Sequence, residues 1–265
     1  GSKTPGHPEY GHTPGVETTT GPLGQGIGNA VGMAMAERHM AARFNRDGKE
    51  IIDHFTYVIC GDGDLMEGVS TESASLAGHL GLSRLICMYD DNDISIEGST
   101  DITFTEDVKL KFESMNWQVI EVADGNDPEA IYNAIEAARS ETEKPSLIKL
   151  KTQIAYGSPS KQGSAGAHGA PLGEDEVRKV KEFFNFPSDK NFYVPDEVLR
   201  ERERIIEKGE ELEGDWQERF NTFKKEDPQL ADLFVDAVSG FLTQGWDKDL
   251  PVFSPSDDPV ATRAA

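Results

Sequence analysis

The sequence predicts an α/β fold: a mostly parallel sheet with helices on both faces, followed by a helical linker region. Three observations carry this. Short apolar runs at residues 55–60, 85–89, 117–122 and 147–150 have the length and composition of buried strands. Between them lie stretches with apolar residues at helical spacing. The alternation of the two is the pattern of βαβ units, whose sheet is parallel and covered on both sides.

The first twenty residues hold four glycines, three prolines and the run Thr18-Thr19-Thr20, with neither hydrophobic period, and read as a loop. From residue 22 to about 44, Ile27, Ala30, Val31, Ala34 and Met35 recur at helical spacing behind Pro22, which suits a first helical turn. Gly24, Gly26, Gly28 and Gly32 allow another element to pack closely against that helix. The run 55–60 ends in Gly61-Asp62-Gly63, and the run 85–89 ends in Asp90-Asp91-Asn92. The intervening residues 66–80, rich in Ala, Ser and Leu with Glu67 and Glu72 near their start, complete a βαβ unit. A helix over 128–142, with Ile131, Ala134, Ile135 and Ala138 on one face, joins the third and fourth runs.

Residues 158–169 are rich in Ser, Gly, Ala and Lys and read as a flexible segment. A surface helix over 174–184 follows, with Val177, Val180 and Phe184 expected inward. Charged residues dominate 197–245, where Trp216, Phe220, Phe223, Leu230, Phe234 and Phe241 are the expected anchors of helices lying over the sheet. This gives an α/β unit at 1–185 and a helical excursion and linker at 186–265, whose final residues 259–265 have the look of a new element beginning.

The formal charge of -22, from 48 acidic against 26 basic residues, disfavours phosphate backbones and anionic lipid surfaces, so neither nucleic acid nor membrane is an expected partner. A salt-adapted source or simple solubility accounts for the acidity equally well. No apolar stretch approaches the ~18 residues a spanning helix needs. Cys60 and Cys87 both fall inside strand-like runs without a C-x-x-C pair, which points to a reducing compartment, by default the cytoplasm.

Asp62 and Asn92 each directly follow a predicted strand of one βαβ unit, which brings both to the carboxyl edge of the sheet, where open α/β folds bind ligands. One carboxylate and one amide oxygen, with no Cys or His beside them, suit Mg²⁺ or Ca²⁺ rather than zinc. Mg²⁺ held by so few protein oxygens takes phosphate oxygens to complete its octahedron, so the pair predicts a diphosphate bound through the metal, with the carbonyl of Ile94 as a third protein oxygen. Gly61 and Gly63 lack a Cβ and let backbone approach a phosphate, although an ordinary strand-to-helix turn would use the same tripeptide. The run Gly24-Gln25-Gly26-Ile27-Gly28 is not a dinucleotide fingerprint, because a Gly, Pro and Thr loop precedes it where a strand is required.

Gly61-Asp62-Gly63 followed by Asp90-Asp91-Asn92 resembles the thiamine-diphosphate motif, and the flanking segments resemble transketolases. These are Thr4-Pro5-Gly6-His7-Pro8-Glu9, the stretch from Gly15 to Gly26, Lys144-Pro145-Ser146-Leu147-Ile148, His168-Gly169-Ala170-Pro171-Leu172-Gly173 and Val260-Ala261-Thr262-Arg263, so the likeness covers nearly the whole chain. The resemblance implies a thiamine-diphosphate-binding fold in which Asp62, Asn92 and the Ile94 carbonyl bind Mg²⁺, with Ca²⁺ or Mn²⁺ as substitutes, and Gly63 and Asn92 contact the diphosphate. Gly21, Pro22 and Leu23 would lie against the thiamine, with Ile94 adding apolar packing; packing at a helix start is the plainer role for Leu23. His7 and His168 match histidines that line the substrate channel, His168 also near the cofactor, where an imidazole can donate to a sugar oxygen and exchange protons. Glu67 and Glu72 match carboxylates of a network across the dimer interface, a role compatible with complementing a helix dipole.

The activity so implied is the pentose-phosphate-pathway transfer of a two-carbon ketol unit from a ketose phosphate (xylulose 5-phosphate) to an aldose phosphate (ribose 5-phosphate or erythrose 4-phosphate). In the family a second, pyrimidine-binding domain, contributed by a second copy of the enzyme or a separate chain, carries the glutamate that activates the cofactor and the groups that grip the sugar phosphate. No residue of this sequence takes those roles, so this chain alone is expected to be inactive. Dihydroxyacetone synthase, which uses formaldehyde as acceptor, and a non-catalytic cofactor-binding subunit of a split enzyme are the alternatives.

Overall fold

The computed structural model describes residues 5–242, 245–255, 258–261 and 263; Thr4 of the first family-like segment, and Thr262, Ala264 and Ala265 at the end, lie outside the described residues. In chain order the elements are α1 (Gln25–Phe44), β1 (Thr56–Gly61), α2 (Asp62–Met66), α3 (Gly68–Leu80), β2 (Leu85–Asp91), the short strands β3 (Ile94–Ser95) and β4 (Gly98–Ser99), α4 (Val108–Ser114), β5 (Gln118–Val122), α5 (Pro128–Ser140), β6 (Ser146–Lys151), α6 (Glu174–Phe183), α7 (Asp196–Glu226) and α8 (Pro228–Ser239). The main sheet has the order β1-β2-β6-β5 with every neighbouring pair parallel.

The sheet is covered on both faces because its central strands are apolar on both. On β2, Leu85, Cys87 and Tyr89 join Leu147 of β6 beneath α1, α3 and α4, while Ile86 joins Ile148 beneath Ala134 and Ala138 of α5. Leu85, Ile86, Leu147 and Ile148 are at most 1% exposed, each worth about 1.5–3 kcal/mol of burial. Trp117 ties this layer together by donating its indole N–H to the Ala74 carbonyl at 2.8 Å. Local chemistry sets the helix starts. Asp127 accepts the Glu129 and Ala130 amides ahead of Pro128, and Asp227 accepts the Leu230 amide ahead of Pro228.

Several expectations are corrected. The helix expected over 66–80 is two helices broken at Glu67, whose ψ of 138° is extended. Met35 is exposed on α1, because the buried stripe there runs Ile27, Ala30, Val31, Ala34 and then Glu37. The inward residue of α6 is Glu176, while Val177 and Phe184 stay largely exposed. The reason is the segment 158–169, which folds back on α6: the Ser158 hydroxyl and the Ser160 amide both donate to Glu176 Oε1, at 2.6 and 2.8 Å. Trp216, Phe220, Phe223, Leu230 and Phe234 do form one cluster, but it packs on Phe44, the last residue of α1, and on Ile51 and Ile52 of the segment between α1 and β1, and Phe241 is exposed outside it.

Candidate functional site

The carboxyl ends of β1 and β2 lie side by side, since the parallel register pairs Gly61 with Asp90. Asp62 opens α2 directly beyond β1 and Asn92 follows β2, so the two sequence-predicted oxygen donors are brought to one edge by one strand pairing. Asp93 then adopts φ of 61°, a left-handed turn that Asp tolerates better than most residues, and reverses the chain into β3. The reversal is locked by the Ile94 amide, which donates to Asn92 Oδ1 at 3.0 Å, and by an ion pair from Lys151 to Asp93 at 2.5 Å.

Asp62 is buried, and its two oxygens differ. Oδ1 accepts the Tyr89 hydroxyl at 2.6 Å. Oδ2 is buried with no partner, alone in this among the side chains of the described residues. A buried carboxylate oxygen left unpaired costs on the order of 1–3 kcal/mol or more, and burial accordingly pushes the Asp62 carboxyl above its ordinary range, although the Tyr89 hydrogen bond pulls it back. A cation on Oδ2 would satisfy that oxygen. Among the described residues no three His, Cys, Asp or Glu side chains form a metal cluster. The expected donors, one carboxylate, one amide and one backbone carbonyl, are all oxygens, the chemistry of Mg²⁺ rather than of zinc.

The remaining predicted residues are distributed over clefts that meet at the β1–α2 turn. Asn92, Ile94 and His168 line a cleft of about 550 Å³ together with Gly61 and Thr152. A Cβ on Gly61 would meet nothing within 4 Å, so the backbone there is open to an approaching group. His7, Gly21, Pro22 and Leu23 line a second cleft of about 920 Å³ that runs along the outer strand β1. His7 is exposed and 2.7 Å from Glu9, whose carboxyl is held below its usual range by Thr19 and by His7. Leu23 is 56% exposed and lies over Gly63, where a Cβ would come within 3.2 Å of its Cδ1. Asp62 itself lines a third, polar cleft of about 380 Å³ with Tyr89, Asp91, Lys149 and Lys151. Glu67 and Glu72 are both exposed at the start of α3.

Three residues of the site escape sequence reasoning. Asp64 fastens the two loops together, its Oδ1 accepting the Gly24 amide and its Oδ2 the Gly61 amide, both at 2.9 Å. An acidic residue three positions beyond a glycine turn is a helix-start pattern that could have found it. Tyr89 and Asp91 sit at alternate positions of β2; in sequence Tyr89 reads as a strand residue only, and Asp91 only as part of the turn Asp90-Asp91-Asn92 that ends the run. Burial and the Asp62 hydrogen bond raise the Tyr89 phenol well above its ordinary value.

Residues 1–243 match the family model described as transketolase, thiamine diphosphate binding domain. The chain is 54% identical to a transketolase of Halalkalibacterium halodurans over 100% of its own length and 40% of that protein's. It is 50% identical to the chloroplastic transketolase-1 of Arabidopsis thaliana, covering 99% of this chain and 36% of that one. Among solved structures, it superposes on a Pichia stipitis transketolase in complex with sedoheptulose 7-phosphate with a TM-score of 0.93 at 46% identity, over 99% of this chain and 39% of that one. With the Leishmania mexicana transketolase the TM-score is 0.92 at 48% identity, over 96% and 38%. The chain thus spans about 40% of the length of the relatives it matches.

Proposed function

Because this chain belongs to the transketolase family, as its thiamine-diphosphate-binding domain, we propose that it holds the diphosphate half of the cofactor in a thiamine-diphosphate- and Mg²⁺-dependent transketolase. The reaction is transfer of a two-carbon ketol unit from a ketose phosphate such as xylulose 5-phosphate to an aldose phosphate such as ribose 5-phosphate or erythrose 4-phosphate, a step of the pentose phosphate pathway. The observation that carries the assignment is the buried, unpartnered Oδ2 of Asp62 at the end of β1, beside Asn92 at the end of the adjacent parallel strand.

In this reading Asp62, the Asn92 amide oxygen and the Ile94 carbonyl hold the cation. Ca²⁺ and Mn²⁺ are expected to substitute, since the donors are all oxygens. Bound thiamine diphosphate supplies the carbon nucleophile and electron sink for breaking and making the carbon–carbon bond. This chain's residues bind and orient. The open backbone at Gly61 admits the diphosphate, which the Gly63 backbone, beneath Leu23, also contacts, while Gly21, Pro22 and Leu23 present a partly apolar wall for the thiamine and Ile94 adds apolar packing from the Asn92 cleft. His168, in the Asn92 cleft, and His7, in the neighbouring one, serve as hydrogen-bond donors to the sugar and as proton carriers. Exposed Glu67 and Glu72 are available for contact with a second copy of the enzyme, with which the site is completed.

Residues 1–185 form the diphosphate-binding unit in this proposal, and 186–265 an excursion and linker toward the pyrimidine-binding domain. Among the described residues no helix is long and apolar enough to cross a membrane. Cys60 and Cys87 are both free with Sγ atoms 3.5 Å apart, an arrangement that fits a reducing compartment such as the cytoplasm.

The test is Asp62→Ala in the full-length protein, with thiamine diphosphate binding followed by tryptophan fluorescence at increasing Mg²⁺. The expected result is loss of Mg²⁺-dependent binding with the circular dichroism spectrum of the fold retained. Unchanged cofactor affinity would remove Asp62 from the metal site.

A further inference from the structure

Tyr89 is 2% exposed, and its hydroxyl stands between two carboxylates, 2.6 Å from Asp62 Oδ1 and 3.5 Å from Asp91 Oδ1. A hydroxyl has one proton to give, and a carboxylate can only accept, so the two acidic groups compete for it. Asp91, also buried at 6% exposure, is already compensated. Lys149 Nζ lies 3.2 Å from its Oδ2 and Lys151 Nζ lies 3.5 Å from its Oδ1. Among the described residues Asp62 has no such cation, and the short contact goes to it. The result is a carboxylate fixed at one oxygen while the other is buried and bare.

We infer that Tyr89 is a positioning residue for the cation: its hydroxyl anchors Oδ1 of Asp62 so that Oδ2 is presented as the ligand, and the pairing of Asp91 with Lys149 and Lys151 reserves that hydroxyl for Asp62. The inference rests on Asp62 being a metal ligand, as proposed above. Without the anchor, Oδ1 loses its short hydrogen bond and Oδ2 is held less firmly in the ligand position. Carboxylate ligands held by such outer hydrogen bonds lose about 10- to 100-fold in metal affinity when the partner is removed.

The experiment uses the full-length protein and measures the Mg²⁺ concentration that half-saturates thiamine diphosphate binding, together with the melting temperature with and without Mg²⁺ and cofactor. Tyr89→Phe is expected to raise the half-saturating Mg²⁺ about 10- to 100-fold, to restore near-normal cofactor affinity once Mg²⁺ is in large excess, and to shrink the metal-induced rise in melting temperature. A purely structural tyrosine would lower the melting temperature of the metal-free protein and leave the half-saturating Mg²⁺ in place, and that outcome overturns the inference. So does a lower half-saturating Mg²⁺. Lys149→Gln, on a side chain that is 28% exposed, frees Asp91 to draw the hydroxyl and is expected to weaken Mg²⁺ in the same direction by less; if Tyr89→Phe fails to fold, an unchanged Mg²⁺ response in Lys149→Gln overturns the inference by itself. Asp62→Ala in parallel separates the two claims. If it abolishes the Mg²⁺ response while Tyr89→Phe does not move it, the positioning role alone falls; if it leaves the response intact, the metal assignment falls with it.

Discussion

Gly24→Ala is the substitution for which the structure dictates both sign and size. Gly24 has φ of +79°, where an L side chain is strained, at a cost of roughly 1–2 kcal/mol. Its added Cβ would stand 2.6 Å from Ser70 Oγ, 2.9 Å from Glu67 Cβ and 3.0 Å from Val69 Cγ1. Ser70 is buried and donates to the Asp64 carbonyl at 2.5 Å, so it cannot yield without breaking that bond. Overpacking of this kind costs about 1–3 kcal/mol more, giving about 2–5 kcal/mol in all. The control is Gly32→Ala within α1, the helix that Gly24 precedes. Gly32 has no positive φ, and a methyl group added there would meet nothing within 4 Å, so alanine is expected to stabilise by about 0.5–1 kcal/mol. Equilibrium urea unfolding of both variants should move the midpoint in opposite directions, downward by roughly 0.7–2.5 M for Gly24→Ala at a slope of about 2–3 kcal/mol per M. Thiamine diphosphate affinity should fall with Gly24→Ala as well, because the Gly24 amide is bound by the carboxylate that also holds Gly61. A Gly24→Ala protein at least as stable as wild type would refute the close approach of α1 and α3 on which the site is built.

Two further outcomes are expected. The Glu176 carboxyl is drawn down to about 2, first by the Ser158 hydroxyl and then by the Ser160 amide. A depressed folded value means that its contribution to stability is fully present above the ordinary 4.5 and is lost as pH falls through about 2. Glu176→Gln should therefore flatten the acid limb of stability between those values, and an acid-unfolding curve parallel to wild type would contradict the assignment. Separately, the 265 residues purified without any other polypeptide should not transfer a ketol unit from xylulose 5-phosphate to ribose 5-phosphate. A coupled glyceraldehyde 3-phosphate assay reads this, and turnover at the rate of the full-length protein would show that the remaining groups are not required.

The order of elements is legible in the sequence because the first two strands of the sheet each announce themselves twice, by an apolar run and by the turn that ends it. β1 closes on Gly61-Asp62-Gly63 and β2 on Asp90-Asp91-Asn92, and those same turns carry the candidate ligands. What stays hidden has physical causes. The strands β3 and β4 are two residues each, too short to show any period, and α4, at seven residues, shows barely two turns. The inward face of α6 is misread because Glu176 is buried by hydrogen bonds from the preceding loop, which a hydrophobic pattern does not register. The stacked Trp216 and Phe220 are visible as anchors, but their partners Ile51 and Phe44 lie far back along the chain. The distance in sequence hides the docking site, not the apolar character of the residues.

The same limit explains why the metal ligand can be found in sequence and its support cannot. Asp62 is marked by its turn, a local feature of three residues. Tyr89 is marked only by the parallel register that sets Cys60 opposite it, which brings its hydroxyl up to the residue just past Gly61. In sequence it is one aromatic among the residues of a buried strand, and a tyrosine there is explained by packing alone. The hydroxyl becomes informative only when the oxygen it satisfies is seen next to the oxygen it leaves bare. A phenylalanine at position 89 would preserve everything the sequence pattern reports, the apolar strand and the face it buries. It would remove the one contact that distinguishes a carboxylate aimed at a cation from one merely placed near it.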